Sequence, residues 1–299
     1  MIAIDLGSNT LRVTKLDCRS RVFTDTYEKI VKTADGLTHT GNIDRAAVDR
    51  IIDAIDEAKR EIDFASDRVR AVTTEALRQA ENSEAVLQRI FKETGVHFEI
   101  ISGEMEAALT LMAVRFRLAQ LHYTAEKFVL VDIGGGSTEL IFHYGEKSVS
   151  KSFPIGIVTM AQRYTHLDEM ESHIAEEMDA VRQFCAKLYA QEGRVDRFIA
   201  TAGTPTTVAA MKHGLTYASY DAGKVNGTTL TWQELNTFLT KLLAMPFDMR
   251  ETVVGTGRSD LIAAGILIFK ELYRIVECQS SLVIDDGLRE GVALQGCLS

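Results

Sequence analysis

The sequence predicts an α/β protein made of two similar halves that face each other across a cleft. Two patterns support this class. Apolar residues alternate at a period of two in some segments and recur on one helical face in others, so strands and helices are interleaved. A run of three strands with a glycine turn begins near residue 2 and begins again near residue 128. The length of 299 residues suits two domains.

The first half opens with three strands and then alternates helices with strands. Its first helix has the clearest pattern, because Val48, Ile51, Ile55 and Ile62 fall on one face. In order, we expect strands at 2–5, 11–17 and 22–31, a helix at 44–64, a strand at 69–73, a helix at 83–94, a strand at 97–101 and a helix at 102–121.

The second half repeats the three strands and continues with helices that carry start signals. In order, we expect strands at 128–132, 138–143 and 147–153, a long helix opened by an Asp168-x-x-Glu171 cap, a strand at 197–200, a helix at 205–211, a helix opened by a Thr231-x-x-Glu234 capping box, an apolar helix at 261–276, a strand at 281–284 and a terminal helix from residue 288.

The composition is that of a globular protein with an acidic balance, because 46% of the residues are hydrophobic and the net charge is -9. That charge argues against gripping duplex nucleic acid, which needs a broad basic face. The first residues do not resemble a signal peptide, and the longest uncharged apolar stretch, 261–269, is too short to span a membrane. We therefore expect a cytoplasmic protein without nucleic-acid or membrane partners. The four cysteines lack metal-binding spacing and are expected to be reduced thiols: Cys18, Cys185, Cys278 and Cys297.

The two glycine turns are candidates for phosphate binding. Asp5-Leu6-Gly7-Ser8-Asn9-Thr10 and Asp132-Ile133-Gly134-Gly135-Gly136-Ser137-Thr138 both lie between two strands. Consecutive backbone N–H groups and hydroxyls in such a loop can cradle a phosphate. Asp5 and Asp132 would be repelled by phosphate, but each can hold a divalent cation or a water beside it. Taken alone, each aspartate can equally be a turn cap.

Other polar residues near loop ends have weaker signals. The loop Thr201–Thr207 follows a strand and opens a helix, so it is either an anion site or a plain helix start. Glu104 and Glu106 follow Ser102-Gly103, where acids commonly complement the helix dipole. Four arginines next to loops are natural partners of phosphate, although single arginines are mostly solvated: Arg12, Arg78, Arg258 and Arg289.

Taken together, the motifs resemble the exopolyphosphatase / guanosine pentaphosphate phosphohydrolase (Ppx/GppA) family, within the acetate kinase–sugar kinase–Hsp70–actin superfamily. The resemblance runs along nearly the whole chain and includes the two glycine turns. The other matching segments are Thr73-Thr74-Glu75-Ala76-Leu77-Arg78-Gln79-Ala80 with Asn82, Ile101-Ser102-Gly103-Glu104-Met105-Glu106-Ala107, Ala202-Gly203-Thr204-Pro205-Thr206-Thr207, Arg258-Ser259-Asp260 and Asp286-Gly287-Leu288-Arg289-Glu290-Gly291.

The resemblance implies a hydrolase of phosphoric anhydrides that uses Mg²⁺ or Mn²⁺. It implies that Glu106 is the catalytic base and that Glu139 helps to hold water or metal beside Asp132. The implied metal ligands are Asp5, Asp132 and Glu139. The implied phosphate-binding residues are Ser8, Asn9, Thr10, Arg12, Arg78, Gly134, Gly135, Gly136, Ser137, Thr138, Gly203, Thr204 and Arg258.

The resemblance also implies two actin-like (ribonuclease H-like) domains with an active site in the cleft between them. We expect the first domain at 1–122 plus 286–299 and the second at 123–285. A homodimer is expected because oligomers of this class are common. Two departures from the family stand out. Many relatives have an acid where this chain has Met105, and longer relatives have a further helical region after the last motif. Because longer relatives have that further helical region, we expect this chain to degrade very long polyphosphate slowly.

The function expected first is an exopolyphosphatase that releases orthophosphate from chain ends. Its nearest alternative is a guanosine pentaphosphate 5′-phosphohydrolase, which would use the same residues. A small-molecule kinase of the same superfamily would need an adenosine pocket and an acceptor base, and the zinc-binding cysteines of one kinase group are absent from the sequence. A nucleotide-binding switch or scaffold without turnover is the remaining alternative.

Overall fold

The computed structural model describes residues 1–65 and 67–298, together with all side chains in those ranges except that of Asp260. Two predicted positions therefore lie outside the described part. One is the side chain of Asp260 in the Arg258-Ser259-Asp260 motif, and the other is Ser299 of the predicted first domain. The strands are β1 (Ile2–Leu6), β2 (Thr10–Asp17), β3 (Val22–Ile30), β4 (Val69–Thr73), β5 (Phe98–Ile100), β6 (Lys127–Ile133), β7 (Thr138–Tyr144), β8 (Lys147–Phe153), β9 (Arg197–Thr201), β10 (Thr228–Thr231) and β11 (Ser280–Val283).

A single turn of 3₁₀-helix lies at Tyr217–Ser219, and the α-helices follow in chain order. They are α1 (Leu37–Thr40), α2 (Arg45–Glu61), α3 (Glu75–Gln79), α4 (Ser83–Thr94), α5 (Gly103–Gln120), α6 (Ile157–Arg163), α7 (Leu167–Glu177), α8 (Asp179–Glu192), α9 (Gly203–Lys212), α10 (Ala222–Val225), α11 (Trp232–Ala244), α12 (Phe247–Val254), α13 (Ser259–Val276) and α14 (Leu288–Leu298). Among the described residues, no helix is both long enough and apolar enough to cross a membrane.

The two sheets have the same strand topology, as the restart in the sequence predicts. The first sheet has the order β3-β2-β1-β4-β5, and the second has the order β10-β11-β9-β6-β7-β8. In each sheet three antiparallel strands precede parallel neighbours, so β1, β4 and β5 correspond to β6, β9 and β11. The added strand β10 pairs with β11 in antiparallel fashion.

The chain divides into two compact units. The first contains Met1–Arg115 and the segment from Asp286, and the second contains Phe116–Asp285. In this division α14 belongs to the first unit and the boundary lies inside α5. The cleft expected between the two halves stays a prediction.

The apolar helix predicted at 261–276 corresponds to α13, which lies in the core of the second unit. Phe269 and Tyr273 contact Phe198 of β9, with ring centroids 5.7 and 4.9 Å apart. The predicted Thr231–Glu234 capping box is present, because the Thr231 hydroxyl accepts the Glu234 N–H and the Glu234 carboxylate accepts the Thr231 N–H.

The helix prediction is wrong for one long helix and leaves out several short ones. The long helix expected from Asp168 is two helices that meet at Met178, and its N-cap residue is His166. Short elements such as α3 and α6 give no periodic signal because they span only one or two turns.

The prediction that all cysteines are reduced thiols is wrong for one pair. Cys18, after β2, and Cys297, in the last turn of α14, form a disulfide with their Cα atoms 5.4 Å apart. The remaining cysteines are free, Cys185 being buried and Cys278 partly buried. Sequence spacing does not reveal a pairing across 279 residues, since packing of α14 against β1 and β2 brings the two ends together.

Candidate active site

Most of the predicted site residues follow the carboxyl ends of parallel strands. In α/β sheets this edge is where ligands bind, because the loops and helix starts that can hold them gather there. In the first unit these ends lead to the loop after β1, to α3 after β4 and to α5 after β5. In the second unit they lead to the loop after β6 and to α9 after β9.

In the first unit, Ser8 and Asn9 form a two-residue hairpin turn between β1 and β2. The N–H of Gly7 donates to the carbonyl of Thr10 at 3.0 Å and closes the turn. The carbonyl of Ser8 accepts the N–H of Ala34, and that of Asn9 accepts those of Val31 and Lys32, at 2.8–2.9 Å. Within the described chain, the N–H groups of Ser8 and Asn9 donate no backbone hydrogen bond. The loop therefore has its acceptors satisfied and its donors left for an anion.

The loop after β6 repeats this arrangement in the second unit. The N–H of Gly134 donates to the carbonyl of Ser137 at 2.9 Å, so Gly135 and Gly136 form the turn. The first N–H groups of α6 satisfy the loop carbonyls, since Ile157 donates to Gly134 at 3.0 Å and Val158 donates to Gly135 at 2.8 Å. In the described part of the chain, the N–H groups of Gly135, Gly136 and Ser137 donate no backbone hydrogen bond.

Gly156 allows this close approach of α6 to the loop. A Cβ at Gly156 would lie 2.3 Å from the carbonyl oxygen of Gly135, which is a clash with backbone. Gly156 also begins α6, where its N–H donates to the Thr159 hydroxyl at 2.8 Å. The loop and the helix start are therefore held as one unit, and Gly156 is a residue that sequence reasoning missed.

The two hairpins place different charges at equivalent positions. Asp5 pairs with Arg12 across β1 and β2, whereas Asp132 pairs with Glu139 across β6 and β7. Direct cross-strand partners have their side chains on the same face of the sheet. The first unit thus offers a carboxylate and a guanidinium at this position, and the second unit offers two carboxylates.

The carboxylate of Glu139 is buried and is held by two serines. Glu139 is 2% exposed. The hydroxyls of Ser137 and Ser152 both donate to Oε1, at 2.6 and 2.7 Å. Ser152 stands opposite Glu139 on β8. Sequence reasoning missed Ser152, because a cross-strand partner has no signature before the register is known.

Thr138 and Thr204, both predicted to bind phosphate, face the protein interior. The Thr138 hydroxyl donates to the carbonyl of Ile155 at 2.6 Å. Thr204 is 1% exposed, and its hydroxyl has no hydrogen-bond partner among the described residues. A Cβ at Gly265 of α13 would lie 2.1 Å from that hydroxyl oxygen. Thr204 therefore packs tightly against α13.

The start of α9 contains a strained backbone position. Ala202 has φ 74° and ψ −177°, a region that is essentially restricted to glycine. Gly203 follows as the first residue of the helix, and the Ala202 carbonyl accepts the Thr206 hydroxyl at 2.9 Å. Such strain persists only where the surroundings fix it, and it concentrates at functional sites. This strain favours a functional role for the helix start, and the anion site itself stays a prediction.

Glu106 lies in the first turn of α5, where its side chain is 11% exposed. The Ser102 hydroxyl accepts the N–H of Met105 and caps the helix. An Nη1 atom of Arg78 lies 3.0 Å from Oε2 of Glu106 and also donates to the carbonyl of Ile101 at 2.8 Å. The candidate base therefore has a fixed cationic neighbour.

Arg12 and Arg258 are held in different ways. Nε of Arg12 donates to Glu28 of β3 at 2.9 Å. Arg258 is the N-cap residue of α13, at the end of a loop that Glu251 fixes by accepting the N–H groups of Gly257 and Ser259 at 2.6 and 3.2 Å.

The carboxylates fit a divalent cation that shares its coordination with water and phosphate. Among the described residues, no cluster of three or more carboxylate, histidine or cysteine side chains forms a metal cage. Mg²⁺ commonly binds through one or two carboxylates and keeps waters and substrate oxygens for the rest. The opposed pair Asp132 and Glu139 matches that donor set.

Comparison with known proteins agrees with this chemistry. The model of the Ppx/GppA phosphatase family matches residues 22–299. Exopolyphosphatase 1 of Mycobacterium tuberculosis is 27% identical over 301 aligned positions, which cover 98% of this chain and 86% of that protein. The guanosine-5′-triphosphate,3′-diphosphate pyrophosphatase of Photobacterium profundum is 33% identical over 54% of this chain and 33% of its own length.

A solved structure of the Aquifex aeolicus PPX-GPPA enzyme is similar to this chain over 98% of both chains, with 32% identity and a TM-score of 0.75. This likeness confirms the predicted α/β class with two actin-like domains. The chain belongs to the Ppx/GppA phosphatase family, a family of phosphoanhydride hydrolases.

Proposed function

We propose that this chain is an exopolyphosphatase that hydrolyses the terminal phosphoanhydride bond of inorganic polyphosphate and releases orthophosphate. The observation that carries the proposal is the pair of hairpin loops, in which the carbonyls of Ser8, Asn9, Gly134 and Gly135 accept hydrogen bonds. Among the described residues, the N–H groups of Ser8, Asn9, Gly135 and Gly136 donate no backbone hydrogen bond. Inorganic polyphosphate has neither a base nor a sugar, so its recognition requires mainly hydrogen-bond donors to phosphate oxygens, such as these N–H groups. The likeness to Exopolyphosphatase 1 along 98% of the chain supports the same substrate.

Glu106 is the proposed general base. It accepts a proton from water while the water oxygen forms a bond to the terminal phosphorus. The bridging P–O bond breaks, the shortened polyphosphate leaves with the electron pair, and orthophosphate carries the new oxygen. Burial of Glu106 and its contact with Arg78 fix the carboxylate in one position, which is what an oriented proton acceptor requires.

The phosphate-binding residues stabilise negative charge. Backbone N–H groups of the two loops and the start of α9 supply fixed dipoles, which suit a reaction that depends mainly on positioning and electrostatic stabilisation. Arg258 adds a full positive charge. The Ser137 hydroxyl is committed to Glu139, so its contribution is through that carboxylate.

We propose Mg²⁺, or Mn²⁺ in its place, as the cofactor. Asp132 and Glu139 of the second unit and Asp5 of the first unit are its proposed ligands. When bound, the cation supplies positive charge that neutralises phosphate oxygens.

The decisive experiment compares orthophosphate release from polyphosphate and from guanosine pentaphosphate by the same preparation. Higher kcat/KM on polyphosphate supports the proposal, and higher kcat/KM on guanosine pentaphosphate overturns it. Incubation with ATP and small-molecule acceptors separates hydrolysis from a kinase, since a kinase transfers phosphate without an equivalent release to water.

The second candidate is a guanosine pentaphosphate 5′-phosphohydrolase. It is favoured by the higher identity, 33%, to the Photobacterium profundum pyrophosphatase, although that match covers 54% of the chain. Both candidates use the same base and phosphate-binding residues.

A further inference from the structure

The guanidinium of Arg78 is shared between two carboxylates. Nη1 contacts Glu106 at 3.0 Å, while Nη2 and Nε contact Oε2 of Glu75 at 2.6 and 3.0 Å. With the bond from Nη1 to Ile101, four of the five N–H groups are used. A bidentate contact from Arg78 to phosphate would therefore require release of Glu75, so the arginine is first of all a partner of the candidate base.

Glu75 is built into this position. It lies in the first turn of α3, three residues before Arg78, and its side chain is 17% exposed. Its second oxygen, Oε1, accepts from Nε2 of Gln79 at 2.5 Å. Both carboxylate oxygens thus have partners. Sequence spacing indicates no role for Glu75, because a helix of five residues gives no periodic signal.

The shared arginine has an electrostatic consequence. Burial lowers the pKa of Arg78, but the carboxylates of Glu106 and Glu75 outweigh burial and raise it, so the guanidinium stays charged. A carboxylate that is the only acidic partner of an arginine is a weak proton acceptor, because the cation stabilises the ionised form. A second carboxylate on the same guanidinium opposes that effect by its own negative charge. Glu104, on the exposed side of the same helical turn, is a further acid that Arg78 influences.

We propose that Glu75 is a positioning residue that acts through Arg78: it draws half of the guanidinium away from Glu106 and keeps Glu106 a competent proton acceptor. This inference rests on the proposed role of Glu106 as the base. It assigns a function to a carboxylate that touches neither substrate nor metal in the proposed mechanism.

The test is a carboxyl ¹³C NMR titration of Glu106 in the ligand-free protein, with the Glu106 signal assigned by its loss in Glu106→Gln. We expect Glu75→Gln to lower the pKa of Glu106 by about 0.5 to 1 unit, because a like charge is removed, and Arg78→Met to raise it. Glu104→Gln is the matched control and should shift it much less. An unchanged or raised pKa of Glu106 in Glu75→Gln overturns the proposal. If that variant does not fold, Glu75→Asp, which withdraws the carboxylate, must shift the pKa in the same direction by less.

Turnover provides a second readout. Glu75→Gln should lower kcat by roughly 3- to 10-fold with little change in KM, as expected when a base is weakened. A change in KM alone contradicts the proposal. The NMR titration needs no substrate, so a failure of the proposed function, seen as no release from either anhydride, stays distinct from a failure of the inference about Glu75.

Discussion

Asp132 and Glu139 stand directly opposite each other in the β6–β7 hairpin, with both side chains on one face of the sheet. Two opposed carboxylates repel each other. A cation bound between them and a phosphate would neutralise that repulsion. The equivalent pair in the first unit, Asp5 and Arg12, carries opposite charges. The two units therefore have the same hairpin with different electrostatics.

The first prediction is metal dependence. We expect phosphate release to require Mg²⁺ or Mn²⁺ and chelation to abolish it. Glu139→Gln should raise the Mg²⁺ concentration needed for half-maximal activity, because one of the three proposed carboxylate ligands becomes neutral. Titration of activity with Mg²⁺ measures this. Full activity in excess chelator would rule out the metal requirement.

The second prediction concerns the base. Glu106→Gln keeps the shape of the side chain and removes its proton acceptor, so we expect kcat to fall by roughly 10²- to 10⁴-fold. Substrate binding should survive, since one repulsive charge is lost. Glu104→Gln is the control and should cost little, because Glu104 is exposed. If Glu106→Gln kept a near-normal kcat and Glu139→Gln lost activity, Glu139 would be the general base instead.

The third prediction concerns Ser152. Ser152→Ala removes one of the two hydroxyls that hold Oε1 of Glu139, and a hydrogen bond to a charged group contributes about 1.5–3 kcal/mol. We expect weaker Mg²⁺ activation and a lower free energy of unfolding. Ser150→Ala, two residues earlier on β8, is the matched control. Equal Mg²⁺ dependence in both variants would show that Ser152 does not position Glu139.

The fourth prediction concerns the strained start of α9. Ala202→Gly removes the Cβ from a backbone conformation that glycine adopts freely, and we expect an increase of about 1 kcal/mol in the free energy of unfolding. Thermal melting checks the direction. Ala209→Gly, within the same helix, is the control and should lower stability, because Ala209 is buried with helical geometry. A lower melting temperature in Ala202→Gly would contradict the strain.

The fifth prediction concerns the disulfide. The Cys18→Ser/Cys297→Ser variant should lose about 2–5 kcal/mol of unfolding free energy, because the reduced unfolded chain gains conformational freedom. A reducing agent should lower the melting temperature of the unaltered protein and leave the variant unaffected. If reductant has no effect on either, the two thiols are not bonded in solution.

The sequence predicted the repeated topology because hydrophobic period and glycine turns are local signals. It predicted the capping box at Thr231 for the same reason. It missed Ser152 and the pair Glu75–Arg78, since both depend on register or on a helix of one turn. The bond between Cys18 and Cys297 depends on contacts across 279 residues, which no spacing rule contains.

The bridge between Cys18 and Cys297 turns nearly the whole chain into a covalent circle. A single protease cut at an exposed hairpin turn, such as Gly145 between β7 and β8, would nick this circle without releasing a fragment. On a denaturing gel the nicked chain would run as one species until reductant separated it into two. Continuity of the molecule is thus independent of any one peptide bond between residues 18 and 297.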